Sequence, residues 1–165
     1  MSNITESGDY QLLLDELATE FPDFEIRKKS DSRLMKAIDI ALRVITFNQM
    51  KTFMTGFITT IGNTVYVTDS WDERSVTSRW ITMSHERIHM VQAREYGRIR
   101  FSLLYLLVLP CVFAIYRTKF EKEAYEVSLR CILEAYGPRR LVLHSIKENM
   151  IDNFTSANYF WMWVK

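Results

Sequence analysis

The chain has 165 residues, a length typical of one domain with its own hydrophobic core. It is 48% hydrophobic and 25% charged with a formal net charge of +1, so the charge balance does not indicate a nucleic acid or another polyanion as partner. Two cysteines are too few for a disulfide framework, and the first residues lack the basic and apolar regions of a signal peptide, which favours a cytoplasmic location.

The N-terminal third is predicted to contain two helices separated by a short strand. A helix is expected over residues 9–20 and ends before Pro22. Its apolar residues at a spacing of four are Leu13, Leu17 and Phe21. Residues 24–27 alternate in polarity and predict a strand, and Asp31 or Ser32 can cap the second helix. The predicted core-facing stripe of that helix is Leu34, Ile38, Ala41 and Ile45.

A β-hairpin is predicted next. Residues 56–61 and 64–68 are rich in β-formers and flank Gly62-Asn63, which fits a two-residue hairpin turn. An exposed edge strand of such a hairpin can bind an extended peptide as one more strand. The alternative is a structural hairpin that only covers the core.

The long helix that follows, from about Ser75 to Tyr96, contains a His-Glu-x-x-His motif. Residues i and i+4 lie on one face of a helix, so His85 and His89 can direct their imidazoles to one ion. Glu86 is about 100° further round the helix, where it can reach a water on that ion but is not a third ligand. Two neutral imidazoles suit Zn²⁺.

Residues 101–116 form the most apolar run of the chain. As one helix the run would be about 24 Å long, shorter than the hydrocarbon core of a bilayer at about 30 Å. Pro110 would break or kink it, and basic residues flank both ends. A buried, broken core helix is therefore favoured over a segment that dips into a membrane surface.

The last helices are predicted over residues 118–136 and 139–152, separated by Gly137-Pro138. The apolar stripe of the first is Phe120, Ala124, Val127 and Cys131. Glu121 and Glu123 flank this stripe on opposite sides, so either carboxylate can enter a site shared with a neighbouring helix. The aromatic ending at 158–163 should fold back on the body. We expect one α+β domain over residues 1–165, mainly helical, with a small hairpin before the motif helix.

The motif at residues 85–89 and the later segment Phe120-Glu121-Lys122-Glu123-Ala124-Tyr125 together resemble the gluzincin branch of the zincin metallopeptidases. In several gluzincin families the later helix reads Glu-x-x-Ala-Asp, and its first glutamate is the third zinc ligand. The resemblance implies a zincin-like fold and Glu121 as that ligand. Tyr125 replaces the aspartate of the pattern, and Glu123 stays an alternative ligand.

Other segments, including the Trp161-Met162-Trp163 ending, are similar to small bacterial zincin-like proteins, a likeness that implies no particular substrate. The apolar run is also similar in position to one in the membrane-embedded CAAX-processing peptidases, where it spans the bilayer. Here the run is too short and is interrupted by Pro110, so that topology is not expected.

The expected function is a zinc-dependent peptidase that acts on a peptide or protein. Zn²⁺ would be held by His85, His89 and Glu121, and Glu86 would be the general base toward a metal-activated water. The candidate donors to the oxyanion are Tyr125, Tyr159 and His144. The competing function is a non-catalytic zincin-like binding module. The sequence does not indicate an oligomeric state.

Overall fold

The computed structural model describes residues 6–106 and 113–138 and has the predicted α+β, mainly helical architecture. The helices are α1 (Glu6–Glu20), α2 (Arg33–Ile45), α3 (Phe53–Gly56), α4 (Val76–Tyr96), α5 (Arg98–Leu106) and α6 (Phe113–Tyr136), and the strands are β1 (Glu25–Lys28), β2 (Thr59–Ile61) and β3 (Thr64–Val67). The helix predicted at 139–152 and the aromatic ending lie outside the described residues.

Helix α4 packs against α1 on one side and against α5 and α6 on another. The Ser75 hydroxyl caps its start by accepting from the Ser78 N–H at 3.2 Å, and Gly97, with φ +84°, follows its end. The largest buried cluster joins apolar residues of α1, β3, α4 and the segments that follow α1 and β3. Its members are Tyr10, Leu13, Leu17, Phe21, Val65, Val67, Trp71, Met83 and Met90. The predicted α1 stripe is confirmed, since Leu13, Leu17 and Phe21 are all buried.

The three strands form one sheet in the order β1-β3-β2. β3 pairs antiparallel with β2 through the predicted hairpin, and Gly62 in its turn has φ +62°. β1 pairs with β3 in parallel. The first half of the predicted strand 56–61 is not strand, because Gly56 ends the short helix α3. Within the described chain β2 is thus an edge strand, and it contacts α4.

Helix α2 begins after Ser32, whose hydroxyl accepts from the Met35 N–H at 3.3 Å. Its predicted core-facing stripe is wrong at three of its four positions, and only Ile38 packs inward. Leu34 and Ile45 are exposed, at 49% and 69%, and the helix instead packs through Met35 and its neighbours Ile38 and Leu42. The helix is apolar around most of its circumference, so several stripes fit the sequence equally well, and tertiary contacts select one.

The apolar run at 101–116 contributes to two helices, the end of α5 and the start of α6. Phe101 in α5 is buried against Phe120 in α6, as expected for a core segment. Pro110 lies outside the described residues. None of the helices in the described ranges combines the length and the apolarity that crossing a bilayer requires.

Lys29 is a buried cation, with only 1% of its surface exposed. Its Nζ donates to the Phe53 carbonyl at 2.8 Å and lies 3.7 Å from the centre of the Phe53 ring. Burial lowers the pKa of Lys29 to about 8, although the charges of Glu86 and Asp39 act in the opposite direction. Charged Lys29 is therefore partly uncompensated in the folded chain.

The lowered pKa of Lys29 should make the stability of the protein depend on pH. Between about pH 8 and pH 10 the unfolded chain keeps the Lys29 proton and the folded chain releases it, so the free energy of unfolding rises with pH. We expect the wild type to gain at most about 1.4 kcal/mol per pH unit over Lys29→Met in this window, measured by urea denaturation at each pH. Lys28→Met is the matched control. The pKa of exposed Lys28 is raised by Asp72, so the difference in free energy of unfolding between wild type and Lys28→Met should not change with pH in this window. The prediction is contradicted if the difference in free energy of unfolding from wild type does not change with pH for either variant.

Candidate metal centre

The motif on α4 brings two imidazoles together, as the i, i+4 spacing predicts. The Nε2 atoms of His85 and His89 are 3.2 Å apart. His89 is 5% exposed and buried among aromatic rings, and the His85 side chain is also largely covered. The two nitrogens therefore face one point at the α4–α6 contact.

Helix α6 carries Glu121 to the same point. Phe120 and Ala124 are fully buried, as the predicted stripe requires, and Glu121, next to Phe120, is itself only 1% exposed. Its Oε2 lies 3.5 Å from His85 Nε2, and its Oε1 lies 3.9 Å from His89 Nε2. Within the described ranges, this is the one group of histidine, cysteine and acidic side chains that converges closely enough to hold a metal ion.

These three side chains fit a tetrahedral metal ion. Two ligands about 2.05 Å from such an ion are about 3.3 Å apart. The His85–His89 and His85–Glu121 distances of 3.2 Å and 3.5 Å are close to this value, and the His89–Glu121 distance of 3.9 Å is longer. Oε2 of Glu121 is buried and has no hydrogen-bond donor. An unsatisfied buried carboxylate oxygen is costly, and a cation between it and the imidazoles would remove that cost.

The electrostatics at this point favour a positive charge. Burial alone would raise the pKa of Glu121, but His85 and His89 outweigh it and lower that pKa to about 2. Burial alone would lower the pKa of His85, but the interaction with Glu121 and the charges of Glu86 and Glu121 raise it. The carboxylate is thus ionised at neutral pH, as a metal ligand must be.

A second layer of hydrogen bonds sets which nitrogen of each imidazole carries the proton. The Ser128 hydroxyl donates its one hydrogen to the Ala124 carbonyl at 3.2 Å, so it can only accept from His85 Nδ1, 3.1 Å away. His85 therefore carries a proton on Nδ1 in both its neutral and its charged form. Nε2 is the nitrogen that gives up the second proton and then offers the lone pair that a metal requires.

Gln92 acts on His89 in the same way. Its Nε2 donates to the Phe120 carbonyl at 3.1 Å and to the Glu123 carboxylate at 2.8 Å, which uses both amide hydrogens. Its Oε1 then faces His89 Nδ1 at 3.0 Å and accepts the proton there. Glu123, the alternative ligand in the sequence, orients the amide behind His89 and does not belong to the cluster.

Glu86 and the cluster line one pocket of about 110 Å³. The Thr60 hydroxyl on β2 donates to Glu86 Oε2 at 2.6 Å and holds that carboxylate against the edge strand. Most of the remaining wall is apolar and comes from α2, the 50–58 segment and α5. The general base predicted from the motif is thus 6% exposed and lies beside the cluster in largely apolar surroundings.

Tyr105 and Arg117 also line the pocket. The Tyr105 hydroxyl donates to Glu121 Oε1, and the Arg117 guanidinium is 4.9 Å from the Tyr105 ring centre. Burial, together with the charge of Glu121, raises the pKa of Tyr105 well above 10, so this phenol remains a donor. Its sequence neighbourhood is an apolar run, in which a tyrosine is most simply interpreted as packing.

The oxyanion donors named from the sequence have different positions. The Tyr125 ring is 4.9 Å from the His85 ring, edge to face, so this residue borders the cluster. Tyr159 and His144 lie outside the described residues. Sequence reasoning missed Tyr105, Thr60 and Ser128, because nothing local to these positions indicates that they reach the motif.

Comparison with known proteins returned no match: no family model, no curated protein and no solved structure matches this chain.

The metal content of two variants should separate the two candidate ligands. We expect Glu121→Ala to lose stoichiometric zinc, because it removes the carboxylate that faces both imidazoles. Glu123→Ala should keep one zinc per chain with an affinity about 10-fold weaker, because only the orientation of Gln92 is disturbed. The measurement is chelator competition with elemental analysis, and exposed Glu126→Ala is the control. Equal zinc retention in Glu121→Ala and Glu123→Ala would show that α6 does not supply a metal ligand.

The role of Gln92 predicts a rescue by exchange of side chains. Gln92→Met should weaken zinc binding by about 10- to 100-fold, because His89 Nδ1 loses its acceptor. In the double variant Gln92→Glu/Glu123→Gln, the glutamate at position 92 accepts from His89 Nδ1, and the glutamine at position 123 donates to that glutamate. Much of the zinc affinity should therefore return. Nitrogen-15 spectra of the metal-free chain report the His89 tautomer directly. An unchanged tautomer in Gln92→Met, or a double variant as weak as Gln92→Met, would show that the amide does not orient His89.

Proposed function

We propose that this chain is a zincin-like, zinc-dependent hydrolase that acts on peptides, with His85, His89 and Glu121 as metal ligands and Glu86 as general base. The observation that carries the proposal is the convergence of the two imidazoles with the unsatisfied Oε2 of Glu121, while Glu86 lines the same pocket. The helix order of the motif and the later glutamate is that of the gluzincins.

Zinc is the metal that best suits this donor set, and three protein ligands would leave a position at which it lowers the pKa of a water to about 7. Glu86 would take a proton from that water as its oxygen attacks the substrate carbonyl carbon. The carbon–nitrogen bond then breaks, and Glu86 returns the proton to the leaving amine. Thr60 fixes one oxygen of the carboxylate, so the same base is aligned for both transfers.

Peptides are the substrate class that the surroundings of the site support best. Residues 59–61 of edge strand β2 line the pocket, so an extended peptide paired with this strand would lie next to the cluster. The apolar walls would exclude water around the scissile bond and strengthen the electrostatic interactions there. Arg117, which also lines the pocket, adds a positive charge that would favour an oxyanion formed there.

The Glu86→Gln variant tests the proposal. It should bind one zinc per chain, because Glu86 is not a ligand, and should cleave a peptide mixture about 10²- to 10⁴-fold more slowly than wild type, followed by mass spectrometry. Exposed Glu95→Gln, on the same helix, is the matched control and should be as active as wild type. Wild-type cleavage by Glu86→Gln would refute the general-base role. A native wild-type chain that folds without metal and cleaves nothing would support the binding-module alternative.

A further inference from the structure

The outward side of α2 is apolar, and no described element covers it. Ile40, Val44 and Ile45 are 64%, 71% and 69% exposed, and Phe47, just beyond the helix, is 90% exposed. We call this surface the α2 stripe. Its members are Leu34, Ala37, Ile40, Ala41, Val44, Ile45 and Phe47.

Apart from Arg33 in the first turn of α2, the stripe is uninterrupted. At about 100° per residue, its helical members from Ile40 round to Ile45 cover an arc of about 140°. The residues through which α2 packs, Met35, Ile38 and Leu42, occupy the next part of the circumference. Burial in the core therefore does not explain the exposed arc, and contiguous apolar surface of this kind marks an interaction site.

The charges around the stripe are mostly positive. The segment 32–58 contains four basic residues, Arg33, Lys36, Arg43 and Lys51, all of them exposed. Its one acidic residue, Asp39, is 9% exposed and pairs with Arg43 at 2.8 Å. The whole chain has a net charge of only +1, so positive charge is concentrated at this surface.

We propose that the α2 stripe docks the protein on an anionic lipid bilayer, with α2 lying in the plane of the interface. An amphipathic helix with a wide apolar arc and basic residues at its edge is the pattern of interfacial helices. Lys36 and Arg43 lie within about 60° of Ile40 around the helix, where long basic side chains reach lipid headgroups while apolar neighbours enter the acyl boundary. Two copies joined stripe to stripe would instead bring these same cations together.

The stripe borders the pocket of the candidate metal centre. Ile38 and Leu42 follow Ile45 around the helix by about 20° and about 60°, and both line the pocket. A bilayer on the stripe would therefore lie beside the α2 wall of the pocket. Membrane docking does not depend on the metal or on hydrolysis, so the two proposals can fail separately.

Co-sedimentation with vesicles tests the docking. Wild type should bind vesicles of phosphatidylcholine mixed with phosphatidylglycerol and should bind pure phosphatidylcholine more weakly, with an affinity that falls as salt rises. Ile40→Asp/Val44→Asp should lower the affinity by at least about tenfold. Arg33→Gln/Lys36→Gln should lower it by about fivefold per charge on anionic vesicles only. Circular dichroism of each variant verifies that these exposed substitutions leave the fold intact.

Two further variants make the test specific. Leu12→Asp on α1, where the side chain is 58% exposed, is the matched control and should bind vesicles like wild type. Ile99→Asp, 79% exposed on α5, probes docking through the neighbouring apolar run and should also bind like wild type. The proposal is overturned if wild type does not bind anionic vesicles, if Ile99→Asp or Leu12→Asp abolishes binding, or if wild type forms a dimer that Ile40→Asp/Val44→Asp dissociates.

Discussion

A carboxylate buried between two helices is the constraint on which this site depends. Glu121 is brought to the α4–α6 contact by the burial of its neighbour Phe120, and a carboxylate removed from water is costly unless charges or donors compensate it. His85, His89 and the Tyr105 hydroxyl supply this compensation, yet one oxygen remains without a donor. The packing of the helices thus produces a position at which a bound cation would be stabilised.

The hydrogen bonds around the cluster orient the two imidazoles toward that position. Ser128 and Gln92 both accept from Nδ1 of an imidazole, although the first lies on α6 and the second on the motif helix itself. Each is held in this role by its own donation to a carbonyl of α6. The two Nε2 atoms are therefore directed inward before any ion binds, which lowers the ordering cost of binding.

Local and non-local features differed in how well the sequence predicted them. The pairing of His85 with His89 follows from helical geometry alone, and the hairpin follows from its turn residues. The choice between Glu121 and Glu123 depends on the rotation of α6 about its axis, which a single sequence left open and the family resemblance favoured. Thr60 and Tyr105 reach the site from segments distant in sequence, and no local pattern marks such contacts.

The wrong stripe on α2 follows from the same feature that makes the helix unusual. A helix with one apolar face has one way to pack, but α2 has apolar residues on both its inner and its outer side, so periodicity alone could not identify the inner one. Burial then selected Met35, Ile38 and Leu42, and left Ile40, Val44 and Ile45 in solvent. Because an apolar arc exposed to water contributes nothing to folding, its presence beside basic residues is better explained by a surface that it contacts than by the core of this domain.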